Sequence, residues 1–160
     1  MEIIGKVYYD ETSPTLLRWS IDTGGKRKVG DVAGHFCKAS GYVYVTYRGN
    51  KYPVQYVVWA LHGRDVPKGF VLDHINTIRD DNNITNLRIG TNSQNNMNKS
   101  VTSRSTTGVK GLTYHTTEGR WYGTVTVQGT TLRKKSKDRG VVEAWLKETR
   151  ERLHGEYSRE

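Results

Sequence analysis

The stretch from Val71 to Lys99, VLDHINTIRDDNNITNLRIGTNSQNNMNK, restricts this chain more than any other. A short apolar run, Phe70-Val71-Leu72, ends in Asp73-His74. A polar loop rich in Asp and Asn follows, then a second short run, Leu87-Arg88-Ile89. Thr91-Asn92-Ser93 supplies helix N-cap residues, and Gln94 to Lys99 continues from them. The local pattern is strand, loop, strand, helix. The strands can pair as a hairpin with the helix packed across it. So small a unit buries little core and needs support from the flanking chain.

The same stretch gathers groups for hydrolysis. Asp73 and His74 are neighbours on an extended segment, so they point to opposite faces unless the strand end twists. Asp73 offers a hard oxygen suited to Mg²⁺, which keeps several waters and takes only one or two protein groups. His74 offers an imidazole, which can take a proton from water. Asn86 can hydrogen-bond the imidazole or brace the loop. Asn95 or Asn96, in the first turn of the helix, can bring an amide oxygen to the same ion. Arg79 and Arg88 are candidate phosphate contacts. Together these groups describe a site where a His-activated water attacks a metal-held phosphate. An Asn/Asp-rich run is also what a plain solvated loop looks like. The ordered set of residues separates the two readings.

That ordered set resembles the HNH endonuclease motif, in the phage and intron-encoded group that opens with an Asp-His pair. The residues that carry it are Asp73, His74, Ile75, Asn76, Arg79, Asp81, Asn82, Asn86, Leu87, Arg88, Thr91, Ser93, Gln94, Asn95 and Asn98. The resemblance implies a ββα-metal unit with His74 as general base. It implies Asp73 and Asn95 as metal ligands, and Asn86 as the group that orients His74. Asn95 is preferred to Asn96 because it holds the Asn position of the family's Ser-Glu/Gln-Asn helix start. An Asn stands where many HNH proteins have a final His, which points to Mg²⁺ or Mn²⁺ rather than a His-rich zinc site.

Composition bounds the rest. The chain has 160 residues, enough for one domain or for two or three small ones. Its hydrophobic fraction of 34% is low for one well-packed globule and favours several small modules. A net charge of +9 and a pI near 9.7 call for a polyanionic partner. No stretch approaches the roughly 20 apolar residues of a membrane span. The first residues lack the basic and apolar regions of a signal peptide. Cys37 is the single cysteine, so intrachain disulfides and most cysteine-based zinc sites are excluded. These features are those expected of an intracellular protein, and the resemblance to phage HNH proteins implies the cytoplasm of a phage-infected bacterium.

Residues 1–52 read as mostly β. Ile3 to Tyr9 and Leu16 to Ile21 are extended candidates, with turns at Glu11-Thr12-Ser13-Pro14 and Asp22-Thr23-Gly24-Gly25. Gly41 to Tyr47 alternates and then turns through Arg48-Gly49-Asn50, which reads as a hairpin. Tyr42, Tyr44 and Tyr47 are expected to pack in the sheet rather than stack on bases. Lys26-Arg27-Lys28 is either a phosphate contact or a solvated turn. Val54 to His62 has apolar residues at helical spacing and ends at Gly63, with His62 expected at the helix end. The order of this segment, with Gly30-Asp31-Val32-Ala33-Gly34 in its middle, is similar to what precedes the motif in phage HNH proteins.

Residues 100–107 read as a linker. From Gly108 three extended runs follow, Val109 to His115, Arg120 to Val127 and Thr131 to Lys135, with turns at Thr117-Glu118-Gly119 and Gln128-Gly129. Val141 to Leu153 then reads as an amphipathic helix with Asp138 as N-cap. Residues 108–160 resemble the plant ethylene-response-factor (Apetala-type) DNA-binding domain through Gly108-Val109-Lys110-Gly111, Tyr114, Gly119-Arg120-Trp121, Val125, Val127, Gly129, Glu143-Ala144 and Leu153-His154-Gly155-Glu156-Tyr157. That resemblance implies a three-stranded sheet in the DNA major groove with a helix behind it. Alternation puts Arg120, Tyr122, Thr124 and Thr126 on one face, and Trp121, Val125 and Val127 on the other. The expected DNA contacts are Lys110, Tyr114, Arg120, Tyr122, Thr126, Arg133 and Lys135.

The fold class expected is therefore α+β. An HNH nuclease unit, motif core 70–99, closes an N-terminal domain of residues 1–99, and a sheet-on-helix domain occupies 108–160. Charge placement agrees. Residues 1–52 carry eight basic and five acidic groups, residues 53–99 five and four, and residues 100–160 twelve and seven. The expected function is Mg²⁺-dependent (or Mn²⁺-dependent) homing endonuclease cleavage of double-stranded DNA, by a monomer or homodimer with no membrane or protein partner evident. The alternative is a DNA-binding protein that keeps the HNH unit only as a scaffold.

Overall fold

The computed structural model of the chain describes residues 1–22, 25, 27–98, 105–127 and 129–154. It falls into two compact units, Met1–Gly90 and Thr91–Glu160. The expected break lay after residue 99. Lys26, Gln128, residues 100–104 of the expected linker, and Gly155-Glu156-Tyr157 lie outside the described residues.

The first unit opens with a hairpin, β1 (Val7–Tyr9) against β2 (Leu17–Trp19), shorter than the extended runs expected from sequence. Its loop is fastened at Asp10, whose carboxylate accepts from Thr12 N at 2.8 Å, Thr12 Oγ1 at 2.7 Å and Arg18 Nε at 2.5 Å. The Thr12 hydroxyl first, then Arg18, hold the Asp10 carboxyl below its ordinary pKa. A depressed folded pKa contributes stability above the unfolded value of about 3.9, lost as pH falls through the folded one. Asp10→Asn is thus expected to lower the urea midpoint at pH 7. The difference from wild type should close as pH drops below about 3.9. A gap of constant size down to pH 2 would refute this role.

A three-stranded antiparallel sheet follows, β3 (His35–Cys37), β4 (Tyr42–Tyr47) and β5 (Asn50–Pro53), in the order β3-β4-β5. Arg48 and Gly49, both at positive φ, make the two-residue turn between β4 and β5. Strand β3 was not anticipated, since its three residues carry no alternation of their own. Val43 and Val45 face the core. Tyr47 also packs there, as expected. Tyr42 and Tyr44 pack edge to face on the other face of the sheet, ring centroids 6.4 Å apart, where Arg79 Cζ lies 5.2 Å from the Tyr42 ring centre and Lys51 Nζ 3.9 Å from that of Tyr44.

Helix α1 (Val54–Leu61) buries Val54, Val57, Val58 and Trp59 against this sheet. His62 caps it, with Nδ1 2.8 Å from Val58 O, and Gly63 leaves at φ +70°. Strand β6 (Phe70–His74) pairs with β7 (Leu87–Thr91), and a 3-10 turn, Ile84–Asn86, leads into β7. Leu72 and Leu87 join the common core with Ile3, Leu17 and Trp19. The motif hairpin thus gains the support that its size demands.

The second unit starts with α2 (Asn92–Asn98). Thr91 and Gln94 form its capping box: Gln94 N donates to Thr91 Oγ1 at 3.2 Å and Thr91 N to Gln94 Oε1 at 2.8 Å. Strands β8 (Leu112–His115), β9 (Arg120–Val127) and β10 (Thr130–Ser136) form an antiparallel sheet in the order β10-β9-β8. Helix α3 (Arg139–His154) packs on one face of it, capped by Asp138, whose Oδ1 accepts from Gly140 N at 2.7 Å. The core is Leu112, Val125, Val142 and Leu146. Gly123 permits the close approach, since a Cβ there would stand 2.7 Å from Val142 Cγ1. No helix among the described residues is long and apolar enough to cross a membrane.

Candidate active site

Strand β6 delivers Asp73 and His74 side by side into buried surroundings, 6% and 5% exposed. The turn that follows is tight. Thr77, a β-branched residue, sits at φ 64°, and its N donates to His74 O at 2.9 Å. Asn76 Oδ1 accepts from Ile78 N at 2.8 Å and shapes the same turn.

The imidazole of His74 is held by Asn82, which is 1% exposed. Asn82 Oδ1 lies 3.0 Å from His74 Nε2, while Asn82 Nδ2 donates to Asp80 O at 3.2 Å. That second bond fixes which way round the amide sits, so an oxygen faces the ring. An amide oxygen only accepts, so Nε2 is the ring nitrogen that donates to it. Tyr42 stands beside the ring, centroids 6.0 Å apart.

Of the two roles open to Asn86, its bonds are those of a loop brace. Its Oδ1 accepts from Asn76 N at 3.0 Å, and its Nδ2 donates to Asn76 Oδ1 at 3.0 Å and Asp81 O at 2.8 Å. The orienting bond on the ring comes from Asn82 instead. The reason is position: the 3-10 turn aims the Asn86 amide into the loop, whereas Asn82 lies within reach of the strand end. Asn82 was legible only as one Asn among several in the run Asp80-Asp81-Asn82-Asn83.

Asp73 faces Arg88, with Nε 3.1 Å from Oδ2 and both side chains largely buried. Strand β7 turns Arg88 inward, where it compensates a buried carboxylate. Arg79 donates from Nη1 to Ser40 O at 2.8 Å, and its guanidinium stays exposed over Tyr42. No group of three His, Cys, Asp or Glu suited to a metal occurs among the described residues. The donors on offer are a carboxylate and amide oxygens, which fit a Mg²⁺-type ion completed by water and phosphate rather than a zinc cage.

Residues 52–97 match the HNH endonuclease family model, a span that contains α1, the β6–β7 hairpin and most of α2. Protein 3.8 of Escherichia phage T7 is 34% identical over 102 residues, which is 64% of this chain and 84% of that protein. The chain belongs to the HNH endonuclease family. Membership implies a phosphodiesterase nuclease with DNA as substrate, and the family generally uses a divalent metal. No solved structure matches the chain.

The HNH match stops before the second sheet, whose register sorts its side chains into two faces. Leu112 pairs with Gly123, Tyr114 with Trp121, and Leu132 with Val125; these point toward α3. Thr113, His115, Arg120, Tyr122, Thr124, Thr126, Thr131, Arg133 and Lys135 share the outer face. Arg120, Tyr122, Thr126, Arg133 and Lys135 lie where alternation put them. Tyr114 does not: it is directly opposite Trp121, ring centroids 4.8 Å apart, and so lies on the helix side although 44% exposed. Lys110 precedes β8 and lies off the face. His115, unremarked in the sequence, is on it, its ring packed at a tilt against Tyr122 with centroids 4.3 Å apart. The Tyr122 hydroxyl donates a short hydrogen bond to Glu118, which holds the Glu118 carboxyl down and the Tyr122 phenol up.

Proposed function

We propose that this HNH-family chain is a metal-dependent homing endonuclease that hydrolyses phosphodiester bonds of double-stranded DNA. The second unit serves as an ethylene-response-factor-like binding module. The observation that carries the reading is the His74–Asn82 pair: a buried imidazole with its basic nitrogen fixed by an amide, next to a buried carboxylate, inside the span that matches the family.

In this reading His74 Nδ1 takes a proton from water, and the resulting oxygen attacks phosphorus while the 3′-oxygen leaves. Asp73 and Asn95 are the assigned ligands of Mg²⁺ or Mn²⁺. The ion, when bound, neutralises phosphate charge and stabilises the leaving oxygen. Asn82 keeps the ring in the productive tautomer and orientation, and Asn86 keeps the loop that carries Asn82. Arg79 meets a phosphate of the substrate. Outer-face Arg120, Arg133 and Lys135, with Tyr122 and Thr126, lie along the duplex and chiefly grip phosphates.

The experiment is cleavage of supercoiled phage DNA with Mg²⁺, with Mn²⁺ and with EDTA, followed in time. Metal-dependent conversion to open-circular or linear product is expected, and the order of products tells nicking from double-strand cleavage. Asn82→Ala should lower the rate about a hundredfold with little change in DNA affinity, since it frees the base to tilt and change tautomer. A rate within twofold of wild type would remove Asn82 from the mechanism.

The Asp73–Arg88 ion pair favours a second reading, a non-catalytic DNA binder, because it satisfies a carboxylate without an ion. Binding without cleavage across a divalent-metal titration, on DNA that carries the target site, would support it.

A further inference from the structure

Beside edge strand β8 the second unit buries a guanidinium that no carboxylate meets. Arg150, near the end of α3, is 7% exposed. Its Nη2 donates to Lys110 O, and it takes part in none of the ion pairs among the described residues. With one carbonyl as its hydrogen-bond partner the guanidinium keeps donors to offer an anion, and burial pulls its pKa below the ordinary arginine value.

The surroundings are those of an anion site. Arg150 lines a hollow with Ser93, Lys110, Gly111, Thr124 and Thr126. Gly111 makes room for it: a Cβ there would stand 3.2 Å from Arg150 Nη2 and 2.4 Å from Thr124 O. Lys110 brings a second cation to the hollow, its Nζ donating to Asn96 O at 3.0 Å. Ser93 adds a hydroxyl to the lining, and no acidic side chain is among the lining residues. Thr124 and Thr126 also belong to the outer face that carries Arg120, Arg133 and Lys135, so the hollow adjoins that basic surface.

We propose that this hollow is a seat for one phosphate, held by the forked donors of Arg150, the Lys110 ammonium and the Ser93 hydroxyl. The occupant is either a backbone phosphate of DNA lying on the sheet or free inorganic phosphate. The first source rests on the DNA-binding reading of this unit; the second does not.

The test uses the full chain in EDTA, so it is independent of cleavage. Thermal unfolding is measured with inorganic phosphate against chloride at constant ionic strength. Duplex binding is measured by fluorescence anisotropy across a salt series. Arg150→Met and Lys110→Met are compared with wild type. Phosphate is expected to raise the wild-type midpoint by about 3 °C or more, an effect lost in both variants. Lys110→Met is expected to reduce the slope of log affinity against log salt by about one. Stabilisation by phosphate without a change of slope assigns the seat to free phosphate. A change of slope without stabilisation assigns it to DNA. If neither appears, the proposal is overturned and Arg150 is a tether between α3 and the Lys110 carbonyl. Should Arg150→Met fail to fold, Lys110→Met decides alone. A protein that never cuts DNA yet passes this test keeps the seat and loses only the nuclease reading.

Discussion

His74→Ala is expected to reduce metal-dependent cleavage of duplex DNA by about a thousandfold or more, with DNA affinity unchanged within about threefold. General-base catalysis is worth roughly 10²–10⁴ in rate, and a base with a fixed tautomer and a buried ring belongs in the upper part of that range. The truncation also removes the Nε2 donor that meets Asn82 Oδ1, which leaves a buried amide oxygen without it. A control therefore matters. His74→Asn retains a hydrogen-bonding side chain at the site and should fold as well as wild type, yet cut no better than His74→Ala. Affinity should survive in both, because the cations assigned to DNA lie in the second unit and at Arg79, not at His74. The measurement is single-turnover cleavage beside equilibrium binding in Ca²⁺ or EDTA. Cleavage by His74→Ala at more than a tenth of the wild-type rate would end the assignment of His74 as base.

Gly111→Ala is expected to destabilise the second unit by roughly 3 kcal/mol. Gly111 sits at φ +70°, which costs an L-residue about 1 kcal/mol. The added Cβ would also stand 2.4 Å from a backbone atom, Thr124 O, in a place where Thr124 N donates to Gly111 O at 2.9 Å. Overpacking against backbone adds about 1–3 kcal/mol, since the obstruction cannot rotate away. For a unit of this size the midpoint should fall by roughly 15 °C. Gly129→Ala is the matched control: φ is +80° there too, but nothing lies within 4 Å of the added Cβ. It should lose only the conformational part, about 1 kcal/mol. Indole NMR signals can follow the two units separately, with Trp121 and Trp145 in the second and Trp19 and Trp59 in the first. Equal losses for the two glycines would mean that the close approach at Gly111 is not there.

Where the sequence was informative, periodicity was the reason. Val125 and Val127 alternate with Thr124 and Thr126, so the two faces of β9 were readable before the sheet was known, and β9 itself is Arg120–Val127 as expected. Asp138 marked the start of α3, and Gly63 the end of α1, through the chemistry of helix ends. Tyr114 failed because its face depends on pairing. Nothing local says that it lies opposite Trp121, and a shift of one residue would reverse it. Asn82 and Asn86 failed for a related reason: both are Asn in one polar run, and only the path of the 3-10 turn decides which of them meets His74. Arg88 and Arg150 are cations, so sequence places them outside; a carboxylate draws in the first and the space left by Gly111 admits the second.

Among its described residues the second unit has four buried apolar side chains at its centre, Leu112, Val125, Val142 and Leu146. So small an interior leaves little margin between the folded and unfolded ensembles. Whatever occupies the sheet or its edge then acts as a structural member of the unit. A ligand present at a hundred times its dissociation constant adds about 2.7 kcal/mol, comparable to a buried leucine. If the unit binds a polyanion as proposed, fold and occupancy become one equilibrium in this half of the chain, and its resistance to proteolysis would rise with the supply of that ligand.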